Sequence, residues 1–142
     1  MFKILFSSSM NMVLTIHFGD FVGAETVAAA KVVLADSRFT GKQKVLQDLR
    51  RVTSATLHDT DRAFVLQSSK VTKRFMDSKI ALLYEAGNPV NQIHDERRAR
   101  FSKAAAQPNK LHTTSFSDAA EWLGVDEQDL NTFIEQNFDP SE

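Results

Sequence analysis

Two groups of basic residues stand out by type and spacing. Arg50 and Arg51 follow Asp48 by two and three positions, and Thr53 and Ser54 come next. A guanidinium is a planar fork that grips a carboxylate or phosphate through paired hydrogen bonds, and hydroxyls can be phosphorylated. The run lies just past a predicted strand, and in open α/β sheets the carboxyl ends of strands form the default ligand or partner edge. Asp48, Arg50, Thr53 and Ser54 are therefore a candidate set by placement. The second group is Arg97, Arg98, Arg100 and Lys103, within two turns of a predicted helix. Val90, Ile93, Arg97, Phe101 and Ala104 trace one face of it, so Arg97 sits in an apolar stripe. Either its stem packs while the guanidinium reaches a carboxylate or solvent, or it contacts an anion or lipid headgroup.

Other chemistries find less support. His17, His58, His94 and His112 are scattered, and no two have the i,i+4 spacing of a helical metal pair. They are expected to be structural or surface residues, and no metal site is assigned. Cysteine is absent, which excludes disulfides, thiol chemistry and thiolate-bound metals. Gly19, Gly23 and Gly41 match no phosphate-cradling loop. Ser7, Ser8 and Ser9 lack the strand–turn–helix setting of a nucleophile. Asp59 and Asp61 suit a helix cap. No catalytic residue and no cofactor is assigned. Eleven Phe against one Trp and one Tyr point to core packing more than to a base-stacking platform.

These residues must be held by a fold. The 142 residues are 42% hydrophobic and 25% charged, enough for one domain with its own core. Five Gly and three Pro are few, which favours helix-rich or α/β folds over turn-dense sandwiches. The net charge of −1 hides an asymmetry. Residues 1–117 hold all 17 Lys and Arg against 10 Asp and Glu, whereas residues 118–142 hold eight acids and no base. The acidic end is expected to pack on its own basic body, or else to meet a partner or mask a basic site. The near-neutral total argues against a nucleic-acid binder. The uncharged stretch Ile4–Gly19 is polar in places and too short for a membrane span, so a cytoplasmic protein is expected.

Periodicity and punctuation predict the elements. Short β-prone runs at Phe2–Phe6 and Met12–Phe18 form a hairpin or a leader and a strand, followed by a helix over Gly23–Ala35 with Val27, Ala30 and Leu34 on one face. Lys44–Leu49 is a short strand, Thr53–Asp59 a polar turn, and a helix runs from about Asp59 to Met76. Lys79–Tyr84 is an interior strand, and Asn88 with Pro89 opens a helix to about Ala106. Leu111–Phe116 is a last strand, Ser117 caps a short helix stopped by Gly124, and Asp126 caps a final one. Strands alternating with helices predict an α/β domain with a four- to five-stranded, mainly parallel sheet, an antiparallel N-terminal edge and helices packed on it. One domain over 1–142 is expected, with an acidic C-terminal helical extension from about residue 125. The apolar face of that extension, Leu130, Phe133, Ile134 and Phe138, must be covered by its own body or by a second copy in a homodimer.

The strand ending in Asp48 and Arg50 within KVLQDLRRV, the apolar KIALLYE, the helix NQIHDERRARFSKAA and the closing HTTSFSDAAEWLGV, with Phe116, Ala120, Trp122 and Leu123, resemble the SpoIIAA-like (STAS-like) family of small, mostly uncharacterised bacterial proteins. The resemblance spans about residues 12–124. It implies a sheet of four or five strands with helices against it and brings no established activity; with no catalytic constellation in view, a non-enzymatic binding or regulatory module is expected. Related modules antagonise anti-sigma factors and are switched by phosphorylation of a Ser or Thr at a helix start after the Asp-bearing strand. Thr53 and Ser54 occupy that region here, with Leu49, Arg50, Arg51 and Val52 intervening and no Gly. Other proteins of the fold group have been suggested to hold nonpolar ligands, which makes a carrier of a small nonpolar or amphipathic ligand the alternative to a protein-interaction module.

Overall fold

The structure is a computed structural model that describes residues 1–56, 70–71, 73–89, 109–139 and 141. The predicted helix bearing Arg97, Arg98, Arg100 and Lys103 lies outside the described residues, as do His58, His94 and most of the predicted 59–76 helix.

The frame is a five-stranded sheet in the order β1-β2-β3-β4-β5. β1 (Phe2–Ser7) pairs antiparallel with β2 (Met12–Val22), and β3 (Lys44–Thr56), β4 (Ile80–Leu83) and β5 (Lys110–Thr113) follow in parallel. The α/β class and the antiparallel N-terminal edge are as the sequence predicts. Asn11 makes the hairpin turn at φ 49°, a left-handed conformation that Asn tolerates, and its N–H donates to the Ser8 carbonyl at 3.2 Å.

Helix α1 (Ala24–Ala35) lies on one face of the sheet and buries Val27, Ala29 and Val33, with Ala30 and Leu34 beside them. Its partners there are Val13, Val45, Leu49, Leu82 and Tyr84. Helices α2 (Phe116–Leu123) and α3 (Glu127–Asn137) cover the opposite face, where Leu14, Ile16, Leu46, Leu83, Leu123, Leu130 and Ile134 form the second core. The Trp122 indole N–H donates to the Ile80 carbonyl at 3.0 Å and locks α2 onto β4.

Two expectations need correction. β3 does not stop at Leu49: Thr53–Thr56 is strand rather than turn, because Asp20–Val22 of β2 pair with Ser54–Thr56. β4 pairs with β3 only as far as Asp48, so among the described residues the far half of β3 pairs with β2 alone, a ribbon where β-branched residues such as Thr53 and Thr56 fit. The cap of α2 is Ser115, whose hydroxyl accepts the Asp118 N–H at 3.1 Å, and Phe116 begins the helix instead of ending a strand. Ser117 donates instead to Glu127 at 2.7 Å. In α3, Leu130 and Ile134 are 0% and 1% exposed within the chain's own core, with Phe133 and Phe138 partly buried against it, which is cover by its own body, one of the two kinds the sequence allows. Gly124 at φ 69° and Asp126 play the terminating and capping roles predicted for them.

Candidate functional site

Alternate residues of a strand face the same way, so Asp48 and Arg50 share a face of β3. The ladder adds a third residue. Ile16 of β2 pairs with Asp48, and Phe18 pairs with Arg51, so two steps of β2 span three of β3. This β-bulge inserts an extra residue, and it brings Arg51 to the same carboxylate. Asp48 is fully buried, at 0% exposure. Its Oδ1 accepts from the Arg50 backbone N–H at 3.1 Å and from Arg50 Nε at 3.0 Å. Its Oδ2 accepts from Arg50 Nη2 at 2.8 Å and from Arg51 Nη1 at 3.0 Å. Both oxygens are thus satisfied by charge-assisted bonds, the condition under which a buried carboxylate is tolerated.

The two guanidiniums are in turn seated on aromatic rings, one at the start of α2 and one just after α3. Arg50 lies 4.9 Å from the Phe116 ring centroid and Arg51 lies 4.7 Å from that of Phe138. Burial works against the charge of Arg50. The hydrogen bonds and charge of Asp48, with Glu85 nearby, outweigh it and hold the guanidinium above its usual pKa. Nη1 of Arg50 keeps donors that Asp48 does not use. Beside it runs an open groove of about 600 Å³ lined by Arg50, Phe116, Asp126, Glu127, Gln128 and Asn131.

Of the residues predicted for the site, Asp48 and Arg50 are in direct contact. Thr53 and Ser54 lie further along β3, exposed on the ribbon, and not at a helix start. The Ser54 hydroxyl donates to the Asp20 carboxylate of β2. Arg97 lies outside the described residues.

A second polar cluster, unforeseen in the sequence, sits on the other face of the sheet. His17 is 0% exposed in β2. Its Nδ1 is 2.7 Å from Glu25 Oε2, and its Nε2 faces Gln47 Nε2 at 3.4 Å. Gln47 offers an N–H there, so Nε2 of His17 accepts and Nδ1–H donates to Glu25. The imidazole is flanked by the rings of Phe2 and Phe21, and Glu25 also pairs with the N-terminal ammonium. Burial raises the Glu25 carboxyl, but the bonds from His17 and the ammonium prevail and leave it below its usual range. The signal available was a histidine in an otherwise apolar strand followed by a glutamate in the first turn of the next helix. On that same face the buried Tyr84 hydroxyl contacts His112 Nδ1 at 2.6 Å. Among the described residues no three His, Asp or Glu side chains converge as a metal set, and no helix is long and apolar enough to cross a membrane.

No family model matches the chain, and no curated protein matches it. Among solved structures it is similar to the crystal structure of an uncharacterised protein of the DUF3478 family with a SpoIIAA-like fold, from Shewanella loihica PV-4. That similarity has a TM-score of 0.47 at 16% identity and covers 87% of this chain and 92% of the other; it is a likeness of fold, and no residue role is carried across it.

Proposed function

We propose that the chain is a non-enzymatic binding or regulatory module that acts by protein interaction around Arg50, midway along β3. One observation carries the reading. Arg50 is fixed on a buried carboxylate and an aromatic ring at the rim of an open groove, with donors to spare. Arginine and aromatic residues held in place this way are the usual anchors of protein interfaces. A partner segment in the groove would set a carboxylate or carbonyl against Arg50 and a basic or amide group against Asp126 and Glu127. Thr53 and Ser54 are the positions where phosphorylation would adjust this edge. A phosphate on Ser54 would stand beside Asp20, so it would act by repulsion, loosening the ribbon rather than ordering it.

The test compares wild type with Asn131→Trp, which fills the groove from an exposed position, and with the double variant Thr53→Ala, Ser54→Ala. A partner bound by wild type and lost with Asn131→Trp supports the groove. Equal binding by both rejects it, and equal phosphate incorporation in wild type and the double variant rejects the switch. The carrier reading has its own measurement: a small nonpolar molecule retained in the native mass spectrum of the purified protein.

A further inference from the structure

The outer edge of the sheet at β1 has a feature that the Arg50 groove does not involve. The Phe18 N–H donates to the Met1 carbonyl at 3.0 Å, so Met1 and Phe18 are a hydrogen-bonded pair of the β1–β2 ladder. Bonded and non-bonded pairs alternate along an antiparallel ladder, so Lys3/Ile16, Leu5/Leu14 and Ser7/Met12 bond in the same way. Phe2, Ile4 and Phe6 therefore direct their backbone N–H and C=O groups away from β2. Among the described residues nothing pairs with those groups.

Edge strands are normally guarded by charge, proline or a bulge. β1 has no proline, and the irregularities of the sheet lie between β2 and β3 instead. Its one charge, Lys3, is held by the Asp139 carbonyl and by the Phe138 ring, on the face opposite Phe2, Ile4 and Phe6. Those three side chains are half-buried and lie on the α1 face, with Arg38 stacked 4.1 Å from the Phe6 ring. The other edge strand, β5, is shorter and carries Lys110 and His112.

We propose that β1 pairs antiparallel with β1 of a second copy of this chain, with Ile4 on the two-fold axis. The sequence of the strand selects that occupant. A two-fold contact needs a surface that complements itself, and Phe-Lys-Ile-Leu-Phe reads nearly the same in both directions. With Ile4 opposite the partner's Ile4, Phe2 faces the partner's Phe6, and the outward N–H and C=O groups meet in register, each pair exchanging both of its bonds. Lys3 then stands opposite the partner's Leu5, so no like charges face one another. The sheet becomes continuous across the two copies and the aromatic edge leaves water.

Native mass spectrometry and hydrogen exchange on the full chain test this. Wild type is expected at twice the 15.9 kDa chain mass, with the Phe2, Ile4 and Phe6 amides as protected as those of Lys3 and Leu5. Ile4→Pro removes an outward N–H without touching the β1–β2 bonds, and Ile4→Lys sets two charges on the axis. Each is expected to halve the mass with an unchanged circular dichroism spectrum. A wild type that is monomeric at its highest soluble concentration overturns the proposal. So does a dimer in which the Phe2, Ile4 and Phe6 amides exchange freely while Lys3 and Leu5 stay protected, a reading that needs no variant to fold.

Discussion

Gln47 and Asp48 are neighbours in β3 and belong to different worlds. Gln47 points to the α1 face, into a cluster built on His17 and Glu25. Asp48 points to the α2–α3 face, into a cluster built on two arginines and the rings of Phe116 and Phe138. The α1-side cluster rests on single bonds of an imidazole, one to a carboxylate side chain and one from an amide. The α2–α3 cluster rests on two guanidiniums, one of which grips the carboxylate through a planar fork. The contrast teaches how the charge asymmetry of the chain is used. The acidic end supplies an aromatic ring, not only carboxylates, to the basic body: Phe138 seats Arg51, while Phe116, just before that end, seats Arg50.

Removing Asp48 is the strongest way to probe this. Asp48→Ala strands Arg50 beside a core without its carboxylate, and breaking a buried pair on one side costs about 3–5 kcal/mol. Urea unfolding reads the loss, and a change in Trp122 fluorescence would locate it on the α2–α3 face. On the opposite face, His17→Leu leaves Glu25 its bond to the ammonium, so the expected loss is smaller, about 1–3 kcal/mol by the same measurement. An equal loss at both positions would erase the contrast between the faces.

Acid should separate the clusters as well. Glu25 titrates lower in the folded chain than its ordinary value of 4.5, so its contribution is present above that pH and fades as pH falls through the lower folded value. Below about pH 4.5, wild type is therefore expected to lose stability more steeply than Glu25→Gln in urea titrations at successive pH values. Parallel curves would mean that the His17–Glu25 bond contributes no linkage. The smallest effect is expected from Arg50→Lys. It keeps the charge but gives up the two-pronged grip on Asp48, for about 1–2 kcal/mol, and should weaken partner binding more than it weakens the fold. Unchanged binding would show that the fork geometry is irrelevant to the groove.

Much of this could be read from one dimension. The order of strands and helices, the antiparallel start, the Gly124 stop and the Asp126 cap follow from local pattern and local chemistry, which neighbouring residues determine among themselves. The Asp48–Arg50 pair is legible too, since a spacing of two puts both on one side of any strand. What the tertiary structure alone decided is register and cover. The bulge that turns Arg51 toward Asp48 exists only because β2 pairs with β3 out of step, and β3 runs on to Thr56 only because Asp20–Val22 are there to meet it. Leu130 and Ile134 needed some cover on hydrophobic grounds, but that the core shared by α2 and the sheet provides it is a fact of packing. His17 meets Glu25, and Arg51 meets Phe138, across chain separations that no local propensity spans. Local chemistry chose the elements; the energy of burying their faces together chose which side chains would touch.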